Sequence, residues 1–252
     1  MSLDMFKLDG KIALVTGGSK GLGLAMAKAL AGAGADIILN SRNQDEADAA
    51  ANEVAEATGQ KAIGMKVDVT NEDQMAGLVE QANADLGGID ILVNNAGAAA
   101  NPVPINELSE WAWDNTFQVN VKAAFLLGRA ALSQMQKQKS GRIISISSIG
   151  LKFGGGINTV HYSASKAALE AVTASLAKAG APFNVLVNTV RAGVTDTPMH
   201  EKIGRTDMSD RASLIPLKRL ALPSEISQAV QFLAGDNSSF VTGSVLTVSG
   251  GE

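Results

Sequence analysis

"KIALVTGGSKGLG", residues 11–23, joins two periodicities through a cluster of glycines. Its first part, "KIALVTGG", is a short apolar, β-branched run that reads as a buried strand. An Ala-rich segment with helical patterning follows over about residues 22–33. The glycines between them are spaced T-G-x-x-x-G-x-G. Gly17 allows a tight turn, Gly21 lets backbone approach a pyrophosphate, and Gly23 lets a helix pack closely on a strand. Backbone N–H groups at the start of such a helix can hold anionic phosphate. A glycine-rich turn alone is weak evidence. Strand, glycines and helix in this order make it a dinucleotide-type phosphate site.

The same alternation continues along the chain. Further strands are expected at "ADIILNS", "KAIGMKVDV", "IDILVNNAG", "GRIISISS", "FNVLVNTV" and "SVLTVSG". Helices are expected across "DEADAAANEVAEA", over 72–85, 110–138 and 163–179, and after "LPSEISQ". Continuous apolar strands separated by helices indicate parallel strands covered on both faces. The expected fold is therefore α/β, a doubly wound, Rossmann-like sheet of about seven strands with right-handed crossovers. No repeat, low-complexity tract or linker divides residues 1–252, so one domain is expected. Residues 191–222, rich in charge, Pro and Met, read as a lid over a site.

Composition narrows the function classes. A formal net charge of −4 argues against nucleic-acid binding. With no cysteine, and only His161 and His200 as imidazoles, disulfides, thiolate chemistry and a metal site are not expected. "MSLDMFKLDG" lacks the pattern of a signal peptide, and no run reaches the roughly 18 apolar residues of a membrane span. The expected setting is cytoplasmic, with a small-molecule substrate and neither membrane nor nucleic acid as partner.

The chemistry is expected at "HYSASKAAL", residues 161–169, which holds the only tyrosine of the chain. Tyr162 and Lys166 stand at i and i+4, sharing one helical face with about 6 Å of axial rise between them. A free phenol ionises near pH ~10, and a nearby ammonium lowers that value towards what acid–base catalysis needs. Ser147 and Ser148 close the "GRIISISS" strand, where α/β sheets place their ligands. Alternation along a strand sends the two hydroxyls to opposite faces.

Dinucleotide choice is read near the end of the second strand, about 20 residues past the glycines. "LNSRNQ" has Ser41 and Arg42 there and no carboxylate, and Lys20 lies in the glycine turn. Arginine can engage a 2′-phosphate with two hydrogen bonds, so NADP(H) is favoured, with NAD(H) possible.

"TGGSKGLG" at 16–23, "NNAG" at 94–97 and "YSASK" at 162–166 together resemble the short-chain dehydrogenase/reductase family, across essentially the whole chain. The resemblance implies that Tyr162 exchanges a proton with the substrate oxygen and that Lys166 tunes Tyr162 and holds the nicotinamide ribose. It implies that Ser148, with Ser147 as the alternative, polarises the carbonyl, and that Asn120 supports a proton relay. Cofactor contacts are implied for Gly17, Ser19, Lys20, Gly21, Leu22 and Gly23 at the phosphates, and for Ser41, Arg42, Asp68 and Val69 at the adenosine. Asn94 and Gly97, with Ala96 between them, are implied to stabilise the central sheet and let the cofactor pass close to backbone, and Gly193, Val194, Thr195 and Thr197 to contact the nicotinamide, with Tyr162 and Lys166.

Two departures stand out. Ala192 occupies the place of a usual proline, and Ser148 precedes Tyr162 by 14 residues, one more than the common spacing, which the "FGGG" loop could absorb. Family members with these motifs include 3-oxoacyl-carrier-protein reductases and sugar-acid dehydrogenases, and the family is commonly tetrameric. The expected activity is interconversion of a secondary alcohol and a ketone. A polar oxo substrate is expected, because Lys152, Asn158, His200, Lys202 and Arg205 fall in the expected walls. A catalytically silent NADP(H)-sensing or scaffolding protein on the same fold is the alternative.

Overall fold

The strand that opens the glycine motif, β1 (Ile12–Val15), lies inside a seven-stranded parallel sheet. The computed structural model describes residues 3–97, 102–154, 157–198 and 207–252. After β1 come α1 (Gly21–Gly32), β2 (Asp36–Ser41), α2 (Gln44–Thr58), β3 (Ala62–Lys66), α3 (Glu72–Leu86) and β4 (Ile91–Asn94). Then follow α4 (Glu110–Phe117), α5 (Ala123–Gln138), β5 (Gly141–Ser148), α6 (Val160–Gly180) and β6 (Val185–Ala192). A short α7 (Ser209–Leu214), α8 (Pro223–Ala234) and β7 (Val245–Val248) complete the chain. The sheet order is β3-β2-β1-β4-β5-β6-β7.

Alternation along the strands divides the core into two layers. Ala13 and Val15 of β1 face one layer with Met26 and Leu30 of α1, Val54 of α2, and Ile226 and Val230 of α8. Leu14 faces the other, with Leu78 of α3, Leu127 and Met135 of α5, and Leu176 of α6. Because central strands are covered on both sides, they read as continuous apolar runs. The chain winds outward from β1 to β3, then crosses back to β4 on the other side of β1. That reversal opens a crevice at the carboxyl ends of β1 and β4.

Local signals set the helix ends. Asn43 and Asn71 accept the N–H groups of Glu46 and Gln74 at the starts of α2 and α3. Gly59 and Gly87 terminate the same helices at φ +77° and +89°, where a glycine avoids the strain of a side chain. The single helix expected over 110–138 is interrupted. Between α4 and α5, residues Gln118–Lys122 form a π turn, in which the Ala123 N–H reaches back five residues to the Gln118 carbonyl. Asn120 lies inside this turn. Among the described residues, no helix is long and apolar enough to cross a membrane.

The expected lid boundary needs correcting. Arg191 and Ala192 belong to β6, and Arg191 makes a two-pronged ion pair with Glu170 of α6 at 3.0 and 2.7 Å. The irregular segment therefore begins at Gly193. Its base is pinned where the Asp196 N–H donates to the Ala221 carbonyl and the Ala221 N–H to Val194, both at 2.9 Å.

Candidate active site

A cleft of about 1530 Å³ lies over the carboxyl edge of the sheet. At one end, the glycine turn is held rigidly from both sides. Asn40, at the end of β2, accepts the Gly17 N–H at 3.1 Å and donates to Val67 at 2.9 Å. From the β4 side, Asn95 donates to the carbonyls of Thr16 and Gly17 at 2.8 and 3.2 Å. Thr16 in turn accepts the N–H groups of Asn95 and Ala96. Gly23 has no room for a side chain, since a Cβ there would stand 2.2 Å from the Gly17 carbonyl oxygen.

The cleft fits a dinucleotide's phosphates at this end. Gly21, at φ +54°, has no atom nearer than Thr197 at 3.8 Å where a Cβ would stand, so its open side faces the cleft. α1 has no side-chain cap, and residues 21–23 of its first turn line the cleft. The first N–H groups of α1 are thus left for an anion. Gly17, Ser19, Lys20, Gly21, Leu22 and Gly23 all line the cleft.

Ser41, Arg42, Asp68 and Val69 line the adjoining region. The Asp68 carboxylate accepts the N–H and hydroxyl of Thr70 at 2.9 and 2.8 Å, which orders this corner. The strand end itself carries no carboxylate, but one enters this corner from α2. Glu46, in the first turn of α2, folds back to accept the Ser41 hydroxyl at 3.0 Å and to pair with Lys20 at 2.9 Å. It stands five residues beyond the strand end, outside the positions where the sequence motif looks. The usable signal was Asn43, which starts a helix and brings its third residue back towards the strand.

At the other end, Tyr162 and Lys166 project from α6 into the cleft. Lys166 is buried, and its Nζ donates to the Ile146 carbonyl at 2.8 Å while lying 5.8 Å from the Tyr162 ring centroid. Burial lowers its pKa from 10.5 to about 8. For Tyr162 the direction is opposite to the expectation: burial pushes the phenol up, partly countered by a hydrogen bond from Ser148. The reason is geometric, because the ammonium points at a carbonyl and the loss of hydration dominates. Tyr162 therefore stays protonated at neutral pH.

Ser147 and Ser148 separate as strand alternation requires. The Ser148 hydroxyl bonds Tyr162 and accepts the Gly150 N–H at 3.2 Å. Ser147 instead points its hydroxyl at the Lys166 carbonyl, 3.5 Å away. The longer spacing to Tyr162 runs through a 3₁₀ turn, Ile149–Phe153, closed by Gly154 at φ +70°. Gly155 and Gly156 of "FGGG" lie outside the described residues.

Asn120 and Asn94 do not line the cleft. Both are buried: Asn120 donates to Ser165 at 2.9 Å, and Ser165 donates to the Tyr162 carbonyl at 2.7 Å. Asn94 donates to the Ala124 carbonyl at 3.4 Å, tying β4 to α5, and its neighbours Asn95, Ala96 and Gly97 line the cleft instead. Asn94 thus braces the central sheet against α5. Gly97 faces the chemical end, where a Cβ would meet Asn120 Oδ1 at 3.3 Å and Lys166 Nζ at 3.4 Å.

Gly193, Val194, Thr195 and Thr197 line the cleft opposite. The Gly193 N–H donates to Val248 at 2.8 Å, and a Cβ at this position would lie 2.6 Å from Ser249 Cα. The turn depends on this glycine, so Ala192 in place of proline leaves it intact. Lys152 and Asn158 reach the wall as expected, joined by Phe153, Ile157 and Leu214, which makes the entrance more apolar than composition suggested. His200, Lys202 and Arg205 lie outside the described residues. Arg211 of α7 forms an ion pair with Glu252 across the cleft wall. Among the described residues, no group of three metal-ligating side chains converges.

Comparison with known proteins gives a consistent picture. The family described as enoyl-(acyl carrier protein) reductase matches residues 17–252. The chain is 38% identical over 245 residues to the 3-oxoacyl-[acyl-carrier-protein] reductase of Aquifex aeolicus, covering 97% of this chain and 98% of that one. It is 41% identical over 250 residues to the cyclopentanol dehydrogenase of Comamonas sp., covering 98% of each. Among solved structures, L-sorbose reductase from Gluconobacter frateurii, complexed with NADPH and L-sorbose, superposes with a TM-score of 0.92 at 31% identity. That match covers 99% of this chain and 98% of the other.

Proposed function

The chain belongs to the short-chain dehydrogenase/reductase family, and on that premise we propose that it is an NAD(P)(H)-dependent oxidoreductase interconverting a secondary alcohol and a ketone. One observation carries the reading: the Tyr162 hydroxyl, bonded to Ser148 beside a buried lysine, shares one cleft with the uncapped start of α1.

When bound, the reduced nicotinamide supplies a hydride to the substrate carbonyl carbon. Tyr162, protonated at neutral pH, gives its proton to the oxygen, and Ser148 donates a second hydrogen bond to it. In the reverse direction Tyr162 must first be phenolate to accept the alcohol proton, and the Lys166 ammonium, 5.8 Å from the ring centre, offsets part of the burial cost of that anion. Asn120 and Ser165 hold α6 so that the Tyr162 ring keeps its place. Backbone N–H groups at the start of α1 and the side of Gly21 would hold the phosphates, and Gly97 and Gly193 would let the nicotinamide pass close to backbone.

The substrate we favour is a polar oxo compound: a 3-oxoacyl thioester, a keto-sugar or a sugar acid. Lys152, Asn158 and Arg211 supply polar recognition, and Phe153, Ile157 and Leu214 leave room for an apolar portion. Residues from Gly193 to Leu222 serve as the lid, latched through Arg211. Purified protein mixed with NADPH and a panel of these compounds tests the proposal. Consumption of reduced dinucleotide with at least one supports it. Tight NADPH binding without consumption across the panel favours the catalytically silent alternative.

The cofactor favoured is NADP(H), because Arg42 stands on the rim beside Ser41. Arg42→Asp is expected to weaken NADPH binding about tenfold or more relative to NADH, by replacing an attraction with a repulsion. Equal affinity of the parent for both dinucleotides would contradict the preference.

Assembly into a homotetramer in the cytoplasm completes the proposal. β7 leaves a sheet edge with Val245 39% exposed, and Phe240 is fully exposed nearby. Such an edge is normally covered. Light scattering on the eluted protein is expected to give four chains; a monomer at micromolar concentration would count against it.

A further inference from the structure

Three elements meet at the adenosine end of the cleft: the turn before α1, the last residue of β2 and the first turn of α2. Their side chains converge on a single atom, Oε2 of Glu46, which accepts from Ser41 Oγ at 3.0 Å and from Lys20 Nζ at 2.9 Å. Arg42 lines the same wall. A hydroxyl and an ammonium on one point, with a guanidinium along the same wall, are donors that suit a phosphate monoester. In this chain a carboxylate already holds two of the three.

We propose that Glu46 is a specificity-determining residue, its carboxylate competing with a ribose 2′-phosphate for Lys20 and Ser41 and so holding down the preference for NADP(H). This rests on the reading of the cleft as a dinucleotide site. A 2′-phosphate entering here must share or displace both donors and must lie beside a like charge. An unphosphorylated 2′-hydroxyl meets neither obstacle and can itself donate to the carboxylate. Arg42 and Glu46 therefore act in opposite directions on one discrimination. Half-exposed ion pairs contribute little to folding. The Lys20–Glu46 pair, with side chains 54% and 47% exposed, thus fits a role in selectivity better than one in stability.

Calorimetric titration of the full chain with NADPH, NADH, 2′,5′-ADP and 5′-ADP tests this without any turnover. Glu46→Gln keeps the size and removes the charge. It is expected to raise the NADPH-to-NADH affinity ratio about tenfold, with the same change for 2′,5′-ADP over 5′-ADP. The gain should shrink as salt is added. Lys20→Met should lower the ratio, and the double variant should lose most of the Glu46→Gln gain, because the two side chains share one ligand group. If both dinucleotides bind but the ratio in Glu46→Gln stays the same or falls, the inference is overturned and the dinucleotide site stands. If neither dinucleotide binds the parent, the cofactor reading fails and this inference with it.

Discussion

Tyr162→Phe is expected to lower turnover about a thousandfold while leaving the fold and dinucleotide binding nearly unchanged. The substitution removes one oxygen and keeps the half-buried ring in place. Its hydroxyl bonds Ser148, so the variant loses one hydrogen bond, of about 1 kcal/mol in stability. The expected signature is a collapse of the rate with affinity for NADPH within about threefold of the parent. Fluorescence titration and steady-state rates on the same preparation read both. No other phenol exists in the chain to take over the role. Undiminished turnover in the variant would remove Tyr162 from the chemistry.

Lys166→Met is expected to cost about a hundredfold in rate and to change how stability depends on pH. In the folded chain the Lys166 pKa falls from 10.5 to about 8 because burial disfavours the ammonium. Below about pH 8 both folded and unfolded chains carry that proton, and the burial penalty acts in full. As pH rises from about 8 towards 10.5, the folded chain releases the proton first and the penalty is relieved, so the parent gains stability across that window. The penalty is on the order of 3 kcal/mol at neutral pH. Removing the amine also leaves the Ile146 carbonyl without its donor, which costs about 1–3 kcal/mol. The two effects nearly cancel, so parent and variant should unfold at similar urea concentrations at pH 7. Above pH 8 the parent should gain on the variant. A constant difference between them across pH 7–10 would contradict the burial of a titrating amine.

The parallel sheet was legible because its evidence is periodic. β1, β2 and β4 carry apolar residues on both faces, and Asn43, Gly59, Asn71 and Gly87 mark helix ends by residue type alone. The glycine turn and the Tyr162–Lys166 pair were legible because each depends on local spacing. What escaped depends on contacts between distant segments. Asn40 and Asn95 clamp the glycine turn from two other strands, and only the sheet order brings them there. An asparagine at the end of an apolar strand, depleted in such positions, was the available hint for Asn40. The π turn at Asn120 breaks a helix that its composition reads as continuous. Glu46 itself carries no signal in the sequence, since its meeting with Lys20 spans 26 residues. Spacing places an ammonium near Tyr162 but shows neither that it addresses the Ile146 carbonyl nor how much water the phenol loses, so it does not give the direction of the shift.

The most direct measurement follows deuterium from NADPH carrying two deuterons at nicotinamide C4 during reduction of a ketone by the purified protein. The account expects the label on the carbinol carbon of the product, with the new hydroxyl proton drawn from solvent through Tyr162. Product formed without the label, or label washed into solvent, would contradict direct transfer in this cleft.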